Sequence, residues 1–294
     1  MRTLNSGQGH RVTKGIIHKN LFLREPGSNA SVTTFIPEKR LSATRHRVQY
    51  LYTFLYGGIV KMINLWFFLV LIIALVDWYA VFRDLYRLRY LTKPLVLILL
   101  IVWFSRAGGW QGSGMYFGVA LIFSLFGDIF LLKGLLKARP GFFMWGLVSF
   151  LIAQIAYVLG FNQPRPLLSL PTLGIVIAVC LVSFFNGGRL IQILKAKPDR
   201  KSMVLPVTIY ISAISLMLAS ALNTLLRGDW LPPAALLSAF GATLFYISDS
   251  ILAHDEFGQP IRSGEMLVTV TYHLAQVGLI AGFLFHGVPL WIPY

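Results

Sequence analysis

Residues 115–132 read MYFGVALIFSLFGDIFLL, an apolar stretch long enough to cross a bilayer that nevertheless carries Asp128 in its last turns. Placing a carboxylate in hydrocarbon costs about 2.5–3.5 kcal/mol even on the gentler insertion scales, so the acid needs a purpose. Asp249, in LFYISDSILA, makes the same demand. The two are expected to face each other inside a helical bundle and to carry the chemistry.

The rest of the chain agrees with a membrane setting. Of its 294 residues 56% are hydrophobic and 13% charged, against about 25% charged in a soluble domain. Apolar runs separated by short polar breaks give eight candidate spans: 63–82, 92–107, 114–132, 141–161, 168–186, 202–225, 234–253 and 265–286. A hydrocarbon core of about 30 Å needs about 20 helical residues, so the fold class is an all-α integral membrane bundle of about eight helices. The second span is short and ends at Arg106, whose side chain can snorkel to the interface. Lys93 and Pro94 are read as its first turn, where proline is tolerated. The single cysteine, Cys180, excludes an intramolecular disulfide and a cysteine-cluster metal site, and its apolar surroundings make it a small core residue.

A net charge of +15 invites a nucleic-acid partner, but its distribution argues against one. Residues 1–61 hold 10 Lys+Arg against 2 acids, and the remainder 16 against 9, almost all of them between apolar spans. Thirteen basic residues fall in the breaks after spans 1, 3, 5 and 7, and three in the alternate breaks. That bias places the odd-numbered loops in the cytoplasm, with both ends of the eight-helix core outside. Trp110, Trp230 and Trp291 then fall near the outer ends, as an aromatic belt would. Residues 1–61 are polar, basic and lack an apolar signal core. They are read as a disordered basic tail, a targeting segment or an extension foreign to the natural protein; the last is favoured, with the natural start expected at Met62, and 62–294 form the transmembrane domain.

Orientation gives the acids a depth. Asp128 lies five residues before Lys133, Asp249 five before His254, and Asp77 six before Arg83, so all three sit one to two turns below the cytoplasmic surface. Asp77 is read as an interfacial acid paired with Arg83, and His254, Asp255 and Glu256 as a solvated loop cluster. Spacing of three and four puts Ser238, Gly241, Ala242, Phe245 and Asp249 on one mostly small face, suited to close helix approach. Ala120, Ser124 and Asp128 share another; Thr269, Tyr272, His273 and Gln276 a third; Phe150, Gln154 and Tyr157 a fourth; Tyr210, Ala213 and Met217 a fifth. Tyr157, Tyr210 and Tyr272 are either packed aromatics or substrate contacts, and Gln154 and Gln276 either interhelical glue or site groups. His273 is a polar neighbour of the site. No histidine shares zinc-motif spacing with a carboxylate, and no metal or cofactor is expected.

In this order and spacing the core resembles the YhhN-like family of membrane proteins, the lysoplasmalogenases. The resemblance rests on Lys93, Pro94 and Leu95; on Ser124 to Asp128 (SLFGD); on Ser149, Phe150 and Tyr157; on Tyr210 and Met217; on GATLFYISDS ending at Ser250; and on YHLAQ from Tyr272 to Gln276. It covers residues 64 to 285 and departs at Gln154, where the pattern commonly has a histidine. It implies a multi-pass enzyme of the cell membrane, in a bacterium the inner membrane. Its substrate would be a lysoplasmalogen, a single-chain lysophospholipid, with the vinyl-ether bond hydrolysed to a fatty aldehyde and a glycerophospho-ethanolamine or -choline. Asp128 and Asp249 would be the acid–base pair, one protonated and one ionised, with the roles open. Lys93, Tyr157, Tyr210, Tyr272, Gln276 and Gln154 are the candidates for holding water, phosphate or glycerol oxygens. The rival reading, an ion-coupled transporter using the same acids as cation or proton sites, predicts inverted repeats, and none is visible.

Overall fold

The computed structural model describes residues 63–132, 141–166 and 168–287. The expectations for residues 1–61 and the start at Met62, for the basic loop after the third span, and for Trp291 lie outside them. All regular structure among the described residues is helical, in eight long helices: α1 (Leu65–Phe82), α2 (Tyr86–Arg106), α3 (Gly114–Phe130), α4 (Phe142–Phe161), α5 (Leu170–Ala196), α6 (Val204–Asn223), α7 (Pro232–Phe257) and α8 (Gly264–His286). Short 3₁₀ turns, Pro198–Met203 and Thr224–Leu226, flank α6. Seven segments are long and apolar enough to span a membrane, and α3 is a shorter apolar helix. The chain is a multi-pass membrane protein.

Helix starts follow local chemistry. The Asn64 side chain accepts from the amides of Trp66 and Phe67 at 3.1 and 3.2 Å, satisfying two donors that α1 leaves unpaired. Ser169 caps α5 by accepting from the Thr172 amide at 3.3 Å. Pro232 and Pro233 open α7, where a missing N–H removes nothing.

Successive helices pack as hairpins: α1 with α2, α3 with α4, α5 with α6, and α7 with α8. α8 is the most buried helix and also touches α1, α2 and α3, while α6 bridges α4, α5 and α7. The small face of α7 meets α8 with almost no side chain between the backbones: a Cβ on Gly241 would stand 2.6 Å from the Leu279 nitrogen and 2.8 Å from the Ala275 oxygen. The outward faces of α1 and α5 carry exposed apolar residues such as Leu75, Ile177 and Phe185, which suits contact with lipid.

Four expectations need correction. α2 begins at Tyr86 rather than at residue 92, so Pro94 lies inside the helix. Hydropathy stopped at the charges of Arg87 and Arg89, yet Arg89 is buried because it is ion-paired. Asp77 is fully buried and pairs with Arg89, not Arg83. Cys180 is exposed on α5 rather than in the core. Trp230 is buried and stacks on His286 at 4.0 Å between ring centroids instead of sitting in an interfacial belt. Beside it Arg227 donates to the carbonyls of Phe161 and Gln163, both at 2.7 Å, tying α4 to the loop before α7. Its hydrogen bond to Asp229 holds that carboxyl below the usual range.

Candidate active site

Arg89 and Lys93 lie four residues apart on α2 and therefore on one face. Between them they engage carboxylates from three other helices. Arg89 Nε lies 3.8 Å from Asp77 Oδ1 on α1, and its Nη1 donates to Glu265 on α8. A further bond runs from Nη2 to Thr269 Oγ1 at 3.2 Å. Thr92, on the same helix, donates to Asp77 Oδ1 at 2.5 Å. One turn along, the Lys93 ammonium stands 3.2 Å from Asp128 Oδ1 on α3. α2 is thus a cationic spine around which α1, α3 and α8 set their acids. Buried charges persist only when paired in this way.

Asp128 is almost wholly buried, and its second oxygen, Oδ2, makes no hydrogen bond. The Tyr272 hydroxyl of α8 stands beside it. From Tyr272 a chain of hydrogen bonds leads deeper into the bundle. Gln276 Nε2 donates to the Tyr272 hydroxyl at 3.2 Å, and the Tyr157 hydroxyl donates to Gln276 Oε1 at 2.7 Å. Ser124, one turn before Asp128, is also buried with an unpaired hydroxyl. His273 turns the other way: its Nδ1 accepts from Trp78 Nε1 at 3.0 Å.

Asp249 has a different environment. It accepts a hydrogen bond from the Tyr210 hydroxyl of α6 and has no cation within ion-pairing distance among the described residues. Gln154, fully buried and with neither amide atom bonded, lies beside Tyr210. Asp249 and Tyr210 form part of the wall of an apolar cavity of about 70 Å³, built by Leu147, Phe150, Ile211 and Ile214 among others. The charges of Asp128 and Lys93 both act on Asp249. Phe150 borders both acids' surroundings: it lines the cavity, packs edge-on against Tyr272 at 5.8 Å, and fills the space over Gly127. Lys93, Tyr272, Gln276 and Tyr157 therefore group with Asp128, and Tyr210 and Gln154 with Asp249.

Arg89, Thr92, Glu265, Asn186, Ser250 and His254 were not singled out from sequence as site groups. For Arg89 a signal exists, its four-residue spacing from Lys93. His254 is in the last turns of α7 and lines the cavity, whereas the sequence placed it in a solvated loop.

Two intramembrane carboxyl groups, one paired with an ammonium and the other opening on an apolar cavity, define a polar site embedded in a multi-pass helical bundle. The chain belongs to the YhhN family, whose model matches residues 88–283. It is 28% identical over 199 residues to the human lysoplasmalogenase TMEM86B, an alignment covering 67% of this chain and 74% of that protein. The pig lysoplasmalogenase TMEM86B is 30% identical over 187 residues, with 64% and 71% covered. The lysoplasmalogenase of Mycobacterium tuberculosis is 30% identical over 146 residues, with 49% and 51% covered. No solved structure matches the chain.

Proposed function

We propose that this protein is a lysoplasmalogenase, hydrolysing the vinyl-ether bond of a lysoplasmalogen to a fatty aldehyde and a glycerophospho-ethanolamine or -choline, with Asp128 and Asp249 as the catalytic pair. The observation that carries the reading is the asymmetry of the two acids. Asp128 is tied to an ammonium at 3.2 Å, while Asp249 has a neutral hydroxyl partner and faces an apolar cavity.

That asymmetry suits the reaction. Vinyl-ether cleavage begins with a proton delivered to the second carbon of the alkenyl chain, leaving an oxocarbenium ion at the first. Asp249, on the cavity wall, is the donor. Asp128, paired with Lys93, acts as the carboxylate: it stabilises the cation and takes a proton from the water that adds to the first carbon. The resulting hemiacetal breaks its bond to the glycerol oxygen, which takes that proton back from Asp128. The hemiacetal hydroxyl returns its proton to Asp249, so one water is consumed and both acids are restored. Tyr272 and Gln276 orient the water beside Asp128 in this reading, and Tyr210 fixes the Asp249 carboxyl. The basic ends of the odd-numbered loops lie on the cytoplasmic side of the cell membrane in this reading.

Purified protein in detergent, given a lysoplasmalogen, should release fatty aldehyde at a rate proportional to enzyme; a preparation that is folded and releases none excludes the reading. Tyr210→Phe removes the hydrogen bond to Asp249 with little change of shape. Its kcat should fall about ten- to hundredfold, the worth of a hydrogen bond to the carboxylate that forms as Asp249 gives up its proton, with KM nearly unchanged. An equal rise in KM would make Tyr210 a substrate contact rather than a positioning residue.

A further inference from the structure

We infer that the inner rim of the Asp249 cavity, lined by His254 and Asn186 with Lys197 beside it, is the binding site for the phosphodiester of the lysolipid head group; this rests on the lysoplasmalogenase reading. A connected polar edge runs along that rim. His254 Nε2 bonds to Asn186 Oδ1 at 2.9 Å, and Asn186 Nδ2 donates to Ser250 Oγ at 2.8 Å. All three residues line the otherwise apolar cavity. Because the Asn186 carbonyl can only accept, His254 Nε2 carries a proton there. Phe257 closes the same edge, and Lys197, just past α5, reaches across to donate to its carbonyl at 2.9 Å. Arg200 lies over the Phe257 ring at 5.4 Å.

The charges differ in availability. Arg200 is shared with Glu256 at 3.4 Å and Asp199 at 3.8 Å. No carboxylate among the described residues lies within ion-pairing distance of Lys197. Lys93, the cation expected from sequence to meet phosphate, is instead engaged by Asp128. The rim therefore has beside it an ammonium with no carboxylate partner among the described residues, at the end of the bundle where a lipid head group would lie.

Spacing supports the assignment. Asp249 and His254 are five residues apart on α7, about 7.5 Å along the axis at about 1.5 Å per residue. In a lysoplasmalogen five covalent bonds separate phosphorus from the vinyl-ether oxygen, an extended span of about 6–7 Å for bonds of roughly 1.5 Å. A phosphodiester at the rim thus sets the vinyl ether level with Asp249, and the alkenyl chain continues between Leu147, Phe150, Ile211 and Ile214. On this geometry the enzyme measures its substrate from the phosphate inward.

The test compares kcat/KM for a lysoplasmalogen with that for the matching 1-alkenylglycerol, which has the vinyl ether but no phosphate. The wild type should prefer the phosphate-bearing substrate. In Lys197→Ala and His254→Ala that preference should shrink about ten- to hundredfold through KM, the loss of one charge-assisted contact. Lys197→Arg should retain it. sn-Glycero-3-phosphoethanolamine should inhibit the wild type competitively and Lys197→Ala far less, while inorganic phosphate at the same concentration should not distinguish them; an equal effect of phosphate would reassign the rim to a free anion. Equal losses on both substrates, or an unchanged preference, would overturn the head-group assignment. A wild type that cleaves neither substrate would instead remove the lysoplasmalogenase reading on which it stands.

Discussion

Asp249→Asn should lower aldehyde release by about 10²–10⁴-fold, the usual contribution of a positioned general acid, while leaving the protein folded. The amide is isosteric, still accepts from Tyr210, and leaves no buried cation behind, because Asp249 has none beside it. Asp128→Asn should lower turnover as much but behave differently in stability. It strands the Lys93 ammonium, whose side chain is only 15% exposed, next to a neutral amide. Removing one partner of a buried pair typically costs about 3–5 kcal/mol, so thermal unfolding in detergent should begin well below that of the wild type. The double variant Asp128→Asn with Lys93→Met should regain most of the stability and none of the activity. Near-normal turnover in either single variant would end the two-acid mechanism, whatever the stability data showed.

The contrast explains what could be read from the sequence. A carboxylate in an apolar run is conspicuous because it is expensive, so Asp128 and Asp249 stood out at once. The faces of α7 and α8 were equally legible, since small residues at three- and four-residue spacing have few other uses in hydrocarbon, and Ser238, Gly241, Ala242 and Phe245 are all buried. Pairing was not legible. Hydropathy treats each charge as a penalty, so Arg89 marked the end of a span, although α2 runs on through it and Glu265 accepts from it across 176 residues of sequence. The same rule dismissed His254 as loop, when α7 continues to Phe257 and turns that imidazole towards Asn186 on α5. Partners distant in sequence cannot be matched by spacing along one helix. Such groups are invisible until the helices are assembled.

Assembly itself depends on the α7–α8 contact, where the second large effect is expected. Without a hydrophobic drive between helices in lipid, their association rests on close packing, and here the packing is backbone on backbone. A Cβ on Gly241 meets main-chain atoms of Leu279 and Ala275 inside 3 Å, and neither can rotate aside as a side chain would. On the facing helix a Cβ on Gly278 would lie 3.0 Å from Gly241 Cα, and one on Gly282 only 2.7 Å from the Ser238 nitrogen. Gly241→Val must therefore push α7 and α8 apart, moving Asp249 away from Tyr272 and the α2 spine together. Overpacking commonly costs about 1–3 kcal/mol where side chains can yield; here they cannot, and the variant should fail to yield folded protein from detergent, with activity lost in any fraction that survives. Gly188→Ala on α5 is the control, since a Cβ there meets nothing within 4 Å and the exchange gains about 1 kcal/mol of helix propensity. It should unfold at the wild-type temperature or above and keep full turnover. If Gly241→Val proved as stable and active as Gly188→Ala, the close α7–α8 contact would not be what holds Asp249 in the site.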